Sequence, residues 1–384
     1  MLLFCGLVSL SISLSAQTIV PIPDNNFEQA LIFFGVDSDG MVDGQATVNN
    51  INDVTSLNSL EFRNISSLEG IEAFTNLQSL DVRGNNLSSL DLSSNLALEI
   101  LFASNNNLGS IDVSKNVALL SLVLDNTNLS NIDVSNNIAL SILRLSGNNL
   151  GSIDISKNLG LSSLSLENTN ISTIDLSNHV ALKDLNLNGN NMFSLDLSNN
   201  ILLETLELND NNLRSLDLSN HTALRVLYVN NNSLSSINVS NSPVLRELYL
   251  ENNNLRNLDL SSNINLEILH INGNNLRDLD LSTNVKLEIL EINDNNLSDL
   301  DLTSNDNLYS FDATQNPDLL CILISDPVAA ASNANFIIDD TSNFTDNFDN
   351  PICIPEEVPM PSWALLGFAF CCILMSVGLV LRLG

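Results

Sequence analysis

One triplet of residues returns along most of this chain at a fixed interval of 21 residues. It reads Leu-Asp-Leu or a close variant, and its copies begin at Leu90, Ile111, Ile132, Ile153, Ile174, Leu195, Leu216, Ile237, Leu258, Leu279 and Leu300. A second pattern, L-x-x-L-x-L-x-x-N-x-L, precedes each triplet and is clearest between Leu203 and Leu213. Such a period is typical of a solenoid, in which each unit buries its apolar residues against neighbouring copies.

Alternation within each repeat predicts a β-strand. In the stretch L-E-T-L-E-L, Leu206 and Leu208 point to one side of the strand and Glu207 points to the other. Because 21 residues leave no room for a full helix as well, we expect a second, short extended segment on the opposite side of each turn. The predicted fold class is an α/β-type solenoid dominated by β structure.

The eleven-position pattern resembles that of the leucine-rich-repeat family over roughly residues 57–316. The resemblance implies an arc with a parallel sheet on its concave face and short extended segments on its convex face. It also implies that the asparagine at the ninth position turns inward and satisfies backbone groups of the bend. Thr127 and Thr169 replace this asparagine in two repeats, so those bends should differ.

The aspartate of each triplet lies between two apolar residues and should face solvent. Asp196 and its equivalents could bind Ca²⁺ as a column, or could simply keep the surface soluble, which is the interpretation we favour. A second asparagine follows each triplet. His179 and His221 take its place in two repeats, where we expect them at the surface.

The segments that flank the repeats are predicted to be caps. Residues 17–56 contain a helix with Asp24 or Asn25 at its N-cap and Glu28 placed for a capping box. Asp37, Asp39 and Asp43 then have the spacing of early calcium ligands, although a turn-rich cap connection is the interpretation that we favour. Residues 17–56 resemble the N-terminal cap of secreted leucine-rich-repeat proteins of flavobacteria, and residues 317–355 resemble the matching C-terminal cap.

The two chain ends predict export. Residues 1–16 read as a secretory signal, with cleavage near Ala16. Residues 363–381 are apolar and long enough to cross a bilayer, after a linker over 356–362. The motif V-P-M-P-S-W before that segment resembles C-terminal sorting signals of Gram-negative bacteria. We therefore expect membrane anchoring, with the protein facing the periplasm or the cell surface.

Cysteine usage is consistent with export. Cys5 leaves with the signal, and Cys371 and Cys372 fall in the apolar segment, so Cys321 and Cys353 remain as a pair suited to one disulfide. The charge balance also restricts the partners. The chain has 45 Asp and Glu against 13 Lys and Arg, which argues against a nucleic-acid partner.

Candidate binding residues lie at the fifth position of the repeat. There Tyr228, Tyr249 and His270 should be consecutive across the concave sheet, with Arg225 and Arg246 nearby. Adjacent aromatic residues on an open sheet are typical of a binding hot spot, although cross-strand packing also favours them. Phe102 with Ile100 and Val123 forms a weaker second patch.

The sequence contains no motif for a catalytic nucleophile, a metalloprotease or a phosphate loop, so we predict no enzymatic activity and no cofactor other than possible calcium. The predicted function is recognition of a protein or a glycan through the concave face, by an exported and membrane-anchored protein. Two alternatives remain open at this point. One is a calcium-stiffened structural or adhesive spacer, and the other is a signalling adaptor or scaffold.

Overall fold

The repeats form a parallel β-solenoid of about 14 turns in the computed structural model, which describes residues 17–347. The strands have three residues each, except the first and last strands of the sheet, which have two, and consecutive strands of the repeats pair in register at the same motif positions. The resulting 14-stranded sheet contains, in chain order, β3 (Ser56–Leu57), β4 (Ser79–Asp81), β5 (Ile100–Phe102), β6 (Ser121–Val123), β7 (Ile142–Arg144), β8 (Ser163–Ser165), β9 (Asp184–Asn186), β10 (Thr205–Glu207), β11 (Val226–Tyr228), β12 (Glu247–Tyr249), β13 (Ile268–His270), β14 (Ile289–Glu291), β16 (Ser310–Asp312) and β18 (Phe336–Ile337).

The core is one continuous column of apolar side chains that runs from Val20 to Ile322. Leu206 and Leu208 are both fully buried, whereas Glu207 between them is only partly buried. This confirms the predicted alternation. Since every turn stacks on two others, the leucines of the middle repeats find partners on both sides.

The ninth-position asparagines close the bends from inside, as the resemblance implied. The side-chain nitrogen of Asn253 donates to the carbonyls of Val229 and Leu250 at 2.9 and 3.1 Å, and its oxygen accepts from the backbone N–H of Leu234 at 3.0 Å. Each asparagine thereby joins its own turn to the preceding one. The bends that carry threonine do differ: Thr127, for example, lies between two residues with positive φ, Asn126 and Asn128.

On the convex side the repeats run through turns rather than regular strands. Only near the C-terminal end of the described residues does a second, three-stranded parallel sheet form, from β15 (Asp299–Asp301), β17 (Cys321–Leu323) and β19 (Asn343–Thr345). Elsewhere the triplet aspartate begins a tight turn. The carboxylate of Asp196, for example, accepts from the backbone N–H of Ser198 at 2.9 Å.

The second asparagine position is buried, so the surface location expected for two histidines is wrong. His179 and His221 are each only 1% exposed. An asparagine at this position, such as Asn263, donates to two carbonyls of the preceding turn, those of Val239 and Ser242. The asparagine gives each of these carbonyls a second donor, in addition to the backbone N–H groups of Ser242 and Leu245. An inward-facing polar side chain therefore joins the two turns through buried hydrogen bonds.

The N-terminal cap consists of a hairpin and a helix. Strands β1 (Gln17–Pro21) and β2 (Gln45–Asn49) pair antiparallel, and helix α1 (Asn25–Phe33) lies between them in sequence. Asp24 is the N-cap, and its second carboxylate oxygen accepts from the backbone N–H groups of Ser66 and Ser67 in the repeats. Two short 3₁₀ helices follow, over Ile51–Asp53 and Ile71–Ala73.

Glu28 does not form the predicted capping box. Its carboxylate is fully buried and instead accepts from the backbone N–H groups of Asp43, Gly44 and Gln45, each at 2.9 Å. A buried carboxylate with three backbone donors is well satisfied, so Glu28 organises the loop that leads into β2.

The C-terminal cap contains helix α2 (Pro327–Ser332), and two of its phenylalanines pack with a third from strand β16 of the repeats. Phe311, Phe336 and Phe344 cover the last turns, with ring centroids 5.7–6.3 Å apart. Asp339 accepts from the backbone N–H groups of Gln315 and Asn316 and so joins the cap to the last turn of the repeats. Cys321 is disulfide-bonded. Its expected partner Cys353 lies outside the described residues, so the pairing of these two stays a prediction.

Neither predicted export segment can be assessed from the fold. The signal segment, residues 1–16, and the apolar segment, residues 363–381, both lie outside the described residues. Within residues 17–347 no helix combines the length and the apolar character that crossing a membrane requires.

Candidate ligand-binding face

Three aromatic side chains line up across the exposed face of the concave sheet. The strand register pairs Tyr228 with Tyr249 and Tyr249 with His270. The two tyrosine rings are stacked, with centroids 4.3 Å apart and planes at 14°, and the imidazole lies 4.7 Å from the ring of Tyr249 at 54°. The structure therefore brings these three predicted residues together. We call them the aromatic row.

Glu247 holds the hydroxyl ends of both tyrosines. Its carboxylate lies 3.3 Å from the hydroxyl oxygen of Tyr249 and 3.5 Å from that of Tyr228. Burial is the main cause that raises the pKa of both phenols. Both hydroxyls therefore stay protonated at neutral pH and can donate to this carboxylate or to a bound molecule.

The two predicted arginines stand apart from the aromatic row. Both precede their strands and are bound in ion pairs along the N-terminal edge of the sheet. Arg225 lies 3.4 Å from Glu204, and Arg246 lies 3.2 Å from Glu267. More than half of each arginine side chain is exposed. They flank the aromatic row and do not form part of it.

A convergent group at the end of the row was missed by our reading of the sequence. His270 Nδ1 lies 3.1 Å from Glu251 Oε1 and 3.3 Å from Glu291 Oε2. Glu251 follows β12, and Glu291 ends β14, so the two carboxylates reach the imidazole from the turns on either side. The signal was present in the 21-residue register, which places residues 19 and 21 positions from His270 beside it.

The weaker patch around Phe102 also exists. Arg83 lies over the ring of Phe102, with the guanidinium carbon 5.4 Å from the centroid, and forms a 2.6 Å ion pair with Asp81. Val123 and Arg144 continue this surface across the next two strands. Each arginine of this patch is paired with an acidic residue, since Arg144 contacts Asp125 at 3.2 Å.

The three aspartates of the cap loop are engaged by the loop itself. Asp37 accepts from the backbone N–H of Thr47, Asp39 accepts from its hydroxyl, and Asp43 accepts from the backbone N–H of Gln45. The structure does not bring one oxygen from each of these three aspartates within 4.8 Å of the others. Calcium binding by this loop stays a prediction without a preformed ligand group to support it.

Solved structures share this architecture. The functional domain of InlJ from Listeria monocytogenes, described as including a cysteine ladder, is 27% identical with a TM-score of 0.64, over 85% of this chain and 82% of that one. The internalin inlF from the same species is 24% identical with a TM-score of 0.58, over 84% and 98%. Neither a protein-family model nor a curated protein matches the sequence.

The chain has the internalin-like leucine-rich-repeat fold. The fold is not confined to internalins. The leucine-rich-repeat ectodomain of the plant membrane receptor kinase GASSHO1/SCHENGEN3 from Arabidopsis thaliana, in complex with CASPARIAN STRIP INTEGRITY FACTOR 2, matches with a TM-score of 0.54 at 24% identity. That match covers 72% of this chain and 39% of the receptor chain, and it shows the fold alone.

Proposed function

We propose that this protein is an exported leucine-rich-repeat binding protein that recognises a polypeptide through its concave face. The observation that carries the proposal is the aromatic row, which presents two tyrosines and a histidine in one line across adjacent strands. Tyrosine is strongly enriched among residues that dominate binding energy at protein interfaces. The anchoring segment at residues 363–381 and the signal at residues 1–16 belong to the same proposal.

The ring arrangement favours a polypeptide over a glycan. A sugar that stacks on an aromatic ring needs an open ring face. Here Tyr249 is covered on one side by Tyr228, at 4.3 Å, and contacted by His270, at 4.7 Å. Ring edges and hydroxyl groups remain for contact, and these suit side chains and backbone groups of a protein partner.

Charge around the row favours a basic partner. The aromatic row and its neighbours occupy five adjacent strands, β10 to β14, and four glutamates lie on or beside these strands: Glu207, Glu247, Glu251 and Glu291. The whole chain has a formal charge of −32. Complementary charge steers encounter and selects partners, so we propose that the bound segment is rich in Lys and Arg.

The proposal is tested by binding of the full-length protein to an array of exported proteins and cell-surface glycans. We expect a basic polypeptide to bind, and we expect Tyr228→Ala combined with Tyr249→Ala to weaken its binding by more than about 30-fold, since hot spots contribute 2 kcal/mol or more. Phe193→Ala is the matched control, because Phe193 is exposed but lies off the concave sheet.

Three results would contradict part or all of the proposal. A glycan that binds and is lost in the double variant would keep the concave face and change the ligand class. Binding that survives the double variant would move the interface elsewhere, as expected for an adaptor or scaffold. No binding, together with a melting temperature that collapses in chelator, would favour the calcium-stiffened spacer instead.

A further inference from the structure

We propose that Glu251, His270 and Glu291 bind a divalent transition-metal ion of the zinc class. One ligand atom from each side chain lies within 4.8 Å of the other two. Among residues 17–347 this is the one group of three or more metal-ligating side chains with that arrangement. All three side chains are half-buried, so an ion could enter from the concave face.

The two separations from His270 Nδ1 match a tetrahedral site. With zinc–ligand bonds of about 2.0–2.1 Å, two ligand atoms at the tetrahedral angle are about 3.3 Å apart. His270 Nδ1 lies 3.1 Å from Glu251 Oε1 and 3.3 Å from Glu291 Oε2. A small ion could therefore be accommodated with little movement of the side chains.

Hydrogen bonding alone satisfies this group poorly. Nδ1 of an imidazole carries at most one proton, whether the ring is neutral or charged. That single proton can form a well-directed hydrogen bond to only one of Glu251 and Glu291, and the two carboxylates repel each other across it. A divalent cation would contact all three ligand atoms at once and would remove the repulsion.

Neighbouring residues orient the three ligands. The side-chain nitrogen of Asn272 donates to Glu291 Oε2 at 3.3 Å, and the ring of Tyr249 packs against the imidazole. The backbone N–H of Glu251 donates to the side-chain oxygen of Asn230 at 2.7 Å. Oδ1 of Asn272 is buried and has no hydrogen-bond partner among the described residues, so a water on the ion could donate to it.

The ligand set selects the class of ion. One imidazole nitrogen and two carboxylate oxygens suit zinc and similar transition metals, whereas calcium requires six to eight oxygen ligands. Three protein ligands leave a fourth position open beside the aromatic row. Use of that position by a bound partner rests on the function proposed above, but metal binding itself does not.

Zinc binding to the full-length protein tests the site without any partner. After removal of metals with a chelator, Zn²⁺ is titrated by calorimetry, and Co²⁺ is used as a probe because its visible absorption reports coordination geometry. We expect one ion per chain, with tetrahedral-type absorption for Co²⁺. His179 and His221 are buried, so His270 is the only accessible imidazole among the three histidines of the chain.

Variants identify the ligands. We expect His270→Gln and Glu291→Gln each to weaken zinc binding by at least about 10-fold, and Asn272→Ala to weaken it measurably, as loss of groups that orient ligands does. Glu207→Gln is the control, since Glu207 has the same motif position as Glu291 on another strand. Its zinc affinity should not change, and circular dichroism checks that every variant is folded.

Two outcomes would overturn the site. One is the absence of saturable zinc binding to the folded protein. The other is saturable binding that neither His270→Gln nor Glu291→Gln weakens. The partner-binding experiment above can fail while zinc binding succeeds, and the reverse also holds, so failures of the two proposals are distinguishable.

Discussion

At the scale of single residues, buried polar side chains define this solenoid as much as its leucines do. Asn263 bonds two carbonyls of the preceding turn, and a serine or a histidine takes the place of this asparagine in three repeats. Ser242 donates to the carbonyl of His221, and Nε2 of His179 lies 3.1 Å from the carbonyl of Ile155. His221 differs, since neither ring nitrogen has a hydrogen-bond partner of good geometry among the described residues.

His221 should make the protein sensitive to mild acid. Burial lowers the pKa of this imidazole below its ordinary value of 6.5. Between the two pKa values the unfolded chain binds the proton and the folded chain does not, so the free energy of unfolding falls as pH drops below 6.5. We expect His221→Asn to remove this part of the pH dependence, as measured by urea unfolding at about pH 7.5 and about pH 5.5.

At neutral pH the same variant should be more stable than the parent by about 1 kcal/mol, because an asparagine can donate well-formed hydrogen bonds to the preceding turn, as Asn263 does in its own repeat. His179→Asn is the control. His179 already has a partner at the carbonyl of Ile155, so this change should gain less. An unchanged pH profile in His221→Asn would show that the imidazole does not control it.

At the scale of the repeat element, the triplet aspartate is a turn residue. Its carboxylate accepts the backbone N–H two residues later in every copy, and Asn238 makes the same bond at 3.0 Å to Ser240. The column of aspartates is exposed, as predicted. Its hydrogen bonds also give it a local structural role, which neither the calcium interpretation nor the solubility interpretation included. The chain itself shows that an asparagine is tolerated there.

We expect Asp196→Asn to leave the melting temperature at neutral pH nearly unchanged and Asp196→Ala to lower it. The asparagine keeps an acceptor for the N–H of Ser198, whereas alanine removes it. Thermal unfolding followed by circular dichroism measures both. Equal melting temperatures for the two variants would mean that the turn does not depend on this bond.

The same column of aspartates should make the stability of the repeats depend on pH in strong acid. Hydrogen bonds from the serine two residues later lower the pKa of nine of these aspartates below 3.8, among them Asp91 and Asp196. As pH falls below 3.8 the unfolded chain takes up protons first, so this stabilisation is lost between that value and the folded pKa. Asp196→Asn should lose its share of this acid dependence.

At the scale of the whole molecule, two features dominate: closed ends and negative charge. The N-terminal cap joins the repeats through Asp24, and the phenylalanine cluster with Asp339 closes the other end. Between the caps, the concave face carries the aromatic row within a surface of carboxylates. At moderate salt the field of these charges extends about 10 Å from the surface. The charge therefore affects the rate at which a partner approaches more than it affects the contacts of the bound complex.

Association with a basic partner should therefore slow as salt is added. We expect the association rate constant to fall by about 10-fold between about 0.05 M and about 0.5 M NaCl, with a smaller change in the dissociation rate constant. Surface plasmon resonance measures both. A dissociation rate that carries the whole salt effect would contradict steering by the overall charge.

The 21-residue period by itself determined the strand positions, the inward leucines and the alignment of Tyr228, Tyr249 and His270, which all follow from register. The inward position of the ninth-position asparagines was implied by the resemblance to leucine-rich repeats. A repeat can be read this way because each turn contacts only its neighbours, so local spacing becomes spatial order. The register alone did not determine which side chains at different motif positions contact each other. Arg225 and Arg246 turned to acidic partners on the sheet edge, and Glu28 turned inward to a loop.

The tertiary structure also decided which polar residues are buried, as at His179 and His221, and which ligand atoms converge, as at Glu251, His270 and Glu291. These outcomes depend on rotamers and on hydrogen bonds between turns, for which a sequence pattern holds no information beyond residue type. The fold could therefore be predicted from the sequence. The side-chain contacts of the concave face were decided by how the turns stack in the tertiary structure.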